Sequence, residues 1–140
     1  MNSSQTIEVR IEVERGSFIK RSPDGQIDFI SPIPSPFSYG SVLGTRAADG
    51  DPEDALVVGP SVPRGASVRL PVWGQVRFID AGVEDHKWVL SPRAPSAMQW
   101  RTIEHFFRFY AVTKRLLYTL RSQQGGVVFE GVERYPVSSG

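Results

Sequence analysis

Residues 6–14 read Thr-Ile-Glu-Val-Arg-Ile-Glu-Val-Glu, with Ile7, Val9, Ile11 and Val13 alternating with Glu8, Arg10, Glu12 and Glu14. A period of two is the mark of a strand with one face on a core and the other in water. Working outward, Arg15-Gly16-Ser17 turns the chain and Phe18-Ile19-Lys20 begins a second strand. Ser22-Pro23-Asp24-Gly25 is a turn signature, and Gln26–Ile30 makes a short third strand. These pieces predict a meander of hairpins. Residues 31–40 carry prolines at 32, 34 and 36. Proline lacks a ladder donor and biases its predecessor to extended backbone, which predicts an extended loop.

Further strands are expected at Ala55–Val58, through Ser67–Ile79 with a bend or bulge at Pro71 and Gly74, at Asp85–Leu90 and at Val127–Phe129. One helix is expected from about Ser96, its N-cap, to Leu120, with Ile103, Phe106, Phe107, Tyr110, Leu117 and Leu120 on one face. Six or seven short strands without βαβ alternation argue for an antiparallel barrel or sandwich carrying one helix.

The chain has 140 residues, 11 Pro, 13 Gly and no Cys. Roughly two-thirds of the unfolded surface is buried at this length, enough for one domain, 1–140, without a disulfide or structural zinc. The missing cysteine removes thiolate metal sites and thiol nucleophiles. Sixteen Lys+Arg against fifteen Asp+Glu give +1, which supplies no bulk-charge argument for nucleic acid or an anionic membrane. The polar start, Met1-Asn2-Ser3-Ser4-Gln5, has no apolar h-region, and no apolar run approaches ~18 residues. The expectation is a soluble, cytoplasmic protein.

The acids are grouped. Asp49-Gly50-Asp51-Pro52-Glu53-Asp54 places aspartates at i, i+2 and i+5, and Asp80-Ala81-Gly82-Val83-Glu84-Asp85-His86-Lys87 repeats the i, i+5 spacing with a lysine two beyond. Each group can be read as a solvated turn, since Asp and Gly are ordinary turn residues. Both, however, abut apolar strands, Ala55-Leu56-Val57-Val58 and Val76-Arg77-Phe78-Ile79. Carboxylates at strand ends of a small barrel would converge at one mouth, and several together need a compensating cation. Oxygen donors with only His86 and His105 beside them point to Mg²⁺ or Mn²⁺ and disfavour zinc. There is no EF-hand loop, P-loop or G-x-S-x-G elbow.

Asp49-Gly50-Asp51-Pro52-Glu53-Asp54-Ala55-Leu56 resembles the D-G-D-P-x-D-x-L signature of the soluble (family I) inorganic pyrophosphatases, and the resemblance covers most of the chain. Residues 11–20 look like the family's I-E-I-P-K-G-S-x-x-K opening, and Tyr39-Gly40 like the tyrosine-glycine ahead of the signature. Asp80–Lys87 looks like D-x-G-x-x-D-x-K, and His105–Tyr110 like the H-F-F-x-x-Y of the main helix. The resemblance implies an α+β fold, mainly β: an OB-like five-stranded antiparallel barrel covered by a C-terminal helix. It implies Mg²⁺-dependent hydrolysis of inorganic pyrophosphate, with Mn²⁺ as a substitute ion, in a homo-oligomer (hexamer, trimer or dimer).

The implied roles fall residue by residue. Asp49, Asp54, Asp80, Asp85 and Glu12 would serve the metals. Asp51 would accept the proton of the metal-activated water, with Tyr39 beside it in the catalytic set. Lys20, Lys87, Tyr39 and Tyr110 would bind phosphate. Such residue types suit the chemistry: cations neutralise a polyanion that repels hydroxide, and lysine and tyrosine donors hold its non-bridging oxygens.

The chain is a shortened, partly divergent version of the pattern. An acid expected two residues after Lys20 is Ser22, a third-strand arginine is Phe29, the asparagine before Tyr39 is Ser38, and the lysine after the helix tyrosine is Ala111. Arg21 or Lys114 is placed to substitute, Lys114 lying one helical turn beyond Tyr110. A charge-assisted contact contributes about 1.5–3 kcal/mol, so losing two costs about 100-fold or more in transition-state binding. The expectations are therefore a weaker pyrophosphatase or, as an alternative, a relative acting on another polyphosphate or only binding metal or phosphate. The six acids of the implied pocket would repel a nucleic-acid backbone. They leave nine acids against sixteen bases elsewhere, an acidic site in a basic shell.

Overall fold

The computed structural model describes residues 5–17, 19–21, 27–30, 34–47, 50–120 and 126–135, with backbone alone for 19–21 and 27–30 and no side chain for Tyr118. Its elements in chain order are β1 (Thr6–Val13), β2 (Ile19–Arg21), β3 (Ile27–Ile30), β4 (Ser38–Val42), β5 (Asp54–Val57), β6 (Ser67–Asp80), β7 (Val83–Glu84), β8 (Lys87–Leu90), α1 (Ala97–Leu120) and β9 (Val127–Arg134). Strand β1 pairs with both β4 and β6. The order β1-β4-β5-β8-β6 therefore closes on itself as a five-stranded barrel, with β7 and β9 added along β6.

The barrel is not wholly antiparallel. β5 and β8 run parallel, with Asp54 opposite Lys87 and Leu56 opposite Val89. Directions cannot alternate around a ring with an odd number of strands, so one neighbouring pair must be parallel. The expected meander is also replaced. β2 and β3 form a separate two-stranded sheet, and β1 pairs instead with two strands distant in sequence.

Two apolar clusters lie on opposite faces of this sheet. Val9, Ile11, Val42, Ala55, Val57, Val72 and Leu90 fill the barrel interior. Leu56, Val76, Phe78 and Val89 take the alternate positions of the same strands and pack against Trp100, Ile103, Phe107 and Ala111 of the helix. The helix starts as its sequence predicts: Ser96 Oγ accepts from the Gln99 N–H at 3.1 Å while Gln99 Oε1 accepts from the Ser96 N–H at 2.9 Å, a reciprocal cap. Its inner stripe ends sooner than expected, since Leu120 is exposed.

Strand β4 falls partly within the stretch read as a loop. Its Gly40 lies opposite Ile11, where the β1 register shifts. A Cβ there would stand 1.9 Å from the Arg10 carbonyl oxygen and 2.9 Å from Ile11 Cα, so only glycine permits this approach of β1 to β4. Gly40→Ala is expected to destabilise the fold by about 1–3 kcal/mol or more through overpacking. Urea unfolding would register this as a lower midpoint; an unchanged midpoint would refute the packing argument. The bulge expected near Gly74 is present as a register shift between Val72 and Gly74, and β9 extends past the expected Phe129 to Arg134.

Candidate active site

The site assembles on the helix-facing side of the sheet, not at a mouth of the barrel. Asp54 and Leu56 share a face of β5, Lys87 and Val89 a face of β8, and Val76, Phe78 and Asp80 a face of β6; Leu56, Val89, Val76 and Phe78 belong to the cluster under the helix. The charged residues are the ends of those apolar rows, and their placement follows from the pleat.

Lys87 is the centre. Its residue is 2 % exposed, and Nζ lies 3.1 Å from Asp54 Oδ2 and 2.8 Å from Asp85 Oδ1. The ammonium also sits 5.6 Å from the Phe78 ring centroid. A buried ammonium is tolerable only with such partners. Asp85 is fixed by its own backbone, whose N–H donates to the Phe78 carbonyl at 2.8 Å.

Tyr39, from β4, hydrogen-bonds the Asp54 carboxylate. Burial raises its hydroxyl well above the usual tyrosine value, helped by the charges of Asp54 and Asp85, by Tyr110 and by that hydrogen bond. Tyr39 therefore remains a protonated donor at neutral pH. Tyr110 is held by rings, its centroid 5.6 Å from Phe78 and 6.0 Å from Phe107. Beside it, Lys114 Nζ lies 2.6 Å from Asp80 Oδ2 and 5.4 Å from the Tyr110 ring centroid.

Glu12 is half-buried on β1, and its Oε1 accepts from the Ser41 hydroxyl, Ser41 being the strand partner of Asp54. The Asp51 side chain is exposed in the connection between β4 and β5. That connection is pinned by backbone bonds from Ala47 N–H to the Asp51 carbonyl (2.6 Å) and from Gly50 N–H to the Ala47 carbonyl (3.0 Å). Gly50 has φ +90°, which accounts for glycine between the aspartates. Thr45 completes the bracket: its hydroxyl donates to the Val42 carbonyl and accepts from the Glu53 N–H, delivering Asp54 to the first position of β5.

Asp49 and the Lys20 side chain lie outside the described residues, as do Ser22 and the side chains of Arg21 and Phe29. Among the described residues no three carboxylates or histidines are arranged to hold one metal ion. Asp54, Asp85 and Asp80 are instead turned onto lysines. The donor set nevertheless suits a hard cation: it is all carboxylate, and the nearest imidazole, His86, is engaged through Nδ1 as acceptor for the Phe78 N–H at 2.9 Å.

Comparison with known proteins identifies the family of the chain. A family model described as inorganic pyrophosphatase matches residues 8–120. The chain belongs to the inorganic pyrophosphatase family. The inorganic pyrophosphatase of Gluconobacter oxydans is 31% identical over 119 residues, covering 79% of this chain and 69% of that protein. That of Geobacillus stearothermophilus is 32% identical over 128 residues, covering 76% and 77%. Among solved structures, the inorganic pyrophosphatase of Thermus thermophilus superposes with a TM-score of 0.74 at 25% identity, over 96% of this chain and 85% of that one.

Within this pyrophosphatase frame, the structure brings together Tyr39, Asp54, Asp85, Lys87 and Tyr110, and places Asp80 beside Tyr110 through Lys114. Of the two histidines, His86 is largely buried and serves the backbone, while His105 is exposed. Sequence reasoning passed over Ser41 as the partner of Glu12, and Trp88 Nε1, which donates to Glu53 Oε2 at 2.5 Å. Neither has a sequence signal, because both depend on cross-strand neighbours distant in the chain.

Proposed function

We propose that this chain hydrolyses inorganic pyrophosphate to two phosphates with Mg²⁺ as the preferred ion and Mn²⁺ as a substitute. The observation that carries the reading is the pair of carboxylates, Asp54 and Asp85, gathered on buried Lys87 between the two tyrosines, in a chain of this family. Asp49, Asp54, Asp80, Asp85 and Glu12 would hold the ions. Bound divalent cations would neutralise the substrate's charge and lower the pKa of water.

The remaining chemistry belongs to side chains. Asp51, on a loop braced by Ala47 and Gly50, takes the proton from the attacking water. Lys20 and Lys87 offer ammonium donors to non-bridging oxygens, and Tyr39 and Tyr110 offer hydroxyls. The raised Tyr39 hydroxyl keeps its proton, so it donates to Asp54 or to a phosphate oxygen without joining the proton transfer.

A phosphate-release panel tests this reading. Pyrophosphate, tripolyphosphate and nucleoside triphosphates are presented with Mg²⁺ and with Mn²⁺. Pyrophosphate should be cleaved fastest, with Mg²⁺. Preference for a longer polyphosphate would replace the substrate assignment. Metal or phosphate binding by calorimetry without release from any compound would make the chain a binding protein only.

A further inference from the structure

Ala111 follows Tyr110 and is 1 % exposed within the helix-side core, so no cation comes from that position. The inner stripe of α1 runs through Ile103, Phe107 and Tyr110 and reaches Lys114 at the next step of three or four residues. Its first two members are fully buried, while Lys114 emerges at the edge of the core with its side chain 19% exposed and Asp80 at 16%. The Lys114 stem therefore lies along the packed face and its ammonium stands where the acidic residues begin. From there Nζ contacts Asp80 and overlies Tyr110. The neighbouring Arg115 is committed elsewhere, its Nε donating to the Val127 carbonyl at 2.6 Å.

Resting on the pyrophosphatase reading, we propose that Lys114 is the helix-borne phosphate-binding residue of this chain. Its ammonium is held on Asp80 while the site lacks substrate and turns to a non-bridging phosphate oxygen when substrate enters. A flexible lysine at the rim can make that exchange, because the movement is confined to side-chain torsions and both partners are anionic oxygens. Lys114 and Lys87 then both meet the substrate beside the Phe78–Tyr110 ring pair, since Lys87 overlies Phe78 and Lys114 overlies Tyr110.

Calorimetric titration of inorganic phosphate into the Mg²⁺-loaded protein tests this, with Mg²⁺ affinity measured separately. Lys114→Met should weaken phosphate binding about 10- to 100-fold, the scale of one charge-assisted contact. Mg²⁺ affinity should hold or rise, because Asp80 loses a competing cation. Lys114→Arg should recover most of the phosphate affinity. Phosphate affinity of Lys114→Met within about twofold of wild type would overturn the assignment. So would a parallel loss of Mg²⁺ and phosphate affinity, which marks a merely structural role. Wild-type turnover of pyrophosphate, followed alongside, judges the hydrolase reading independently. A wild type that binds phosphate without turnover, and loses that binding in Lys114→Met, supports Lys114 while removing the reaction. A wild type that binds no phosphate overturns both.

Discussion

Asp51→Asn is expected to reduce pyrophosphate turnover about 10²- to 10⁴-fold, the range of a lost general base. In barrier terms this is about 3–5.5 kcal/mol. The fold should be indifferent. Asp51 is exposed, and asparagine preserves its shape while the loop keeps its backbone bonds to Ala47. Surface substitutions of this kind stay within about 0.5 kcal/mol. Steady-state kinetics and urea unfolding on the same preparation therefore separate chemistry from stability. Turnover within a few-fold of wild type would remove Asp51 as the base, whatever the stability.

Lys87→Met should have the largest effect on stability. Lys87 is 2 % exposed and shared by two carboxylates. Removing one partner of a buried ionic cluster leaves uncompensated charge, and costs about 3–5 kcal/mol. Against a total stability of about 5–15 kcal/mol, that is a large fraction. For a chain of this length it lowers Tm by about 10–15 °C. Mg²⁺ should restore more of the variant's stability than it adds to wild type, because Asp54 and Asp85 are then free to take the ion. Thermal unfolding with and without Mg²⁺ measures both effects. A metal-free change below about 1 kcal/mol would mean the cluster contributes no more than a surface ion pair.

Local signals in the sequence were reliable where the physics is local. The alternation of Ile7, Val9, Ile11 and Val13 specifies a strand, and the Ser96–Gln99 pair specifies a helix start. The D-G-D turn needs the positive φ of Gly50. What alternation cannot convey is the identity of the neighbour. Strand β4 was obscured because the prolines at 32, 34 and 36 lie just ahead of it and Gly40 is a poor strand former, although Gly40 is there to admit the Arg10 carbonyl. The parallel β5–β8 pair follows from ring closure, which no window of sequence contains.

The site shows the same division. The spacing of Asp49, Asp51 and Asp54, and of Asp80, Asp85 and Lys87, is legible as a group of hard donors. The gathering of Asp54, Asp80, Asp85 and Lys87 on the helix-facing side of the sheet is not, because it depends on which face of β5, β6 and β8 the core takes. Lys114 is intermediate: its place one turn beyond Tyr110 is in the sequence, while its contact with Asp80 joins residues 34 positions apart and needs the fold.

The most direct measurement is phosphate release from pyrophosphate by the purified wild-type protein with Mg²⁺, followed by chelation and re-addition of the ion. Metal-dependent pyrophosphate hydrolysis predicts two phosphates per pyrophosphate consumed, loss of release on chelation and its return with Mg²⁺. Release at background across metals and pH, or release unaffected by chelation, would contradict it.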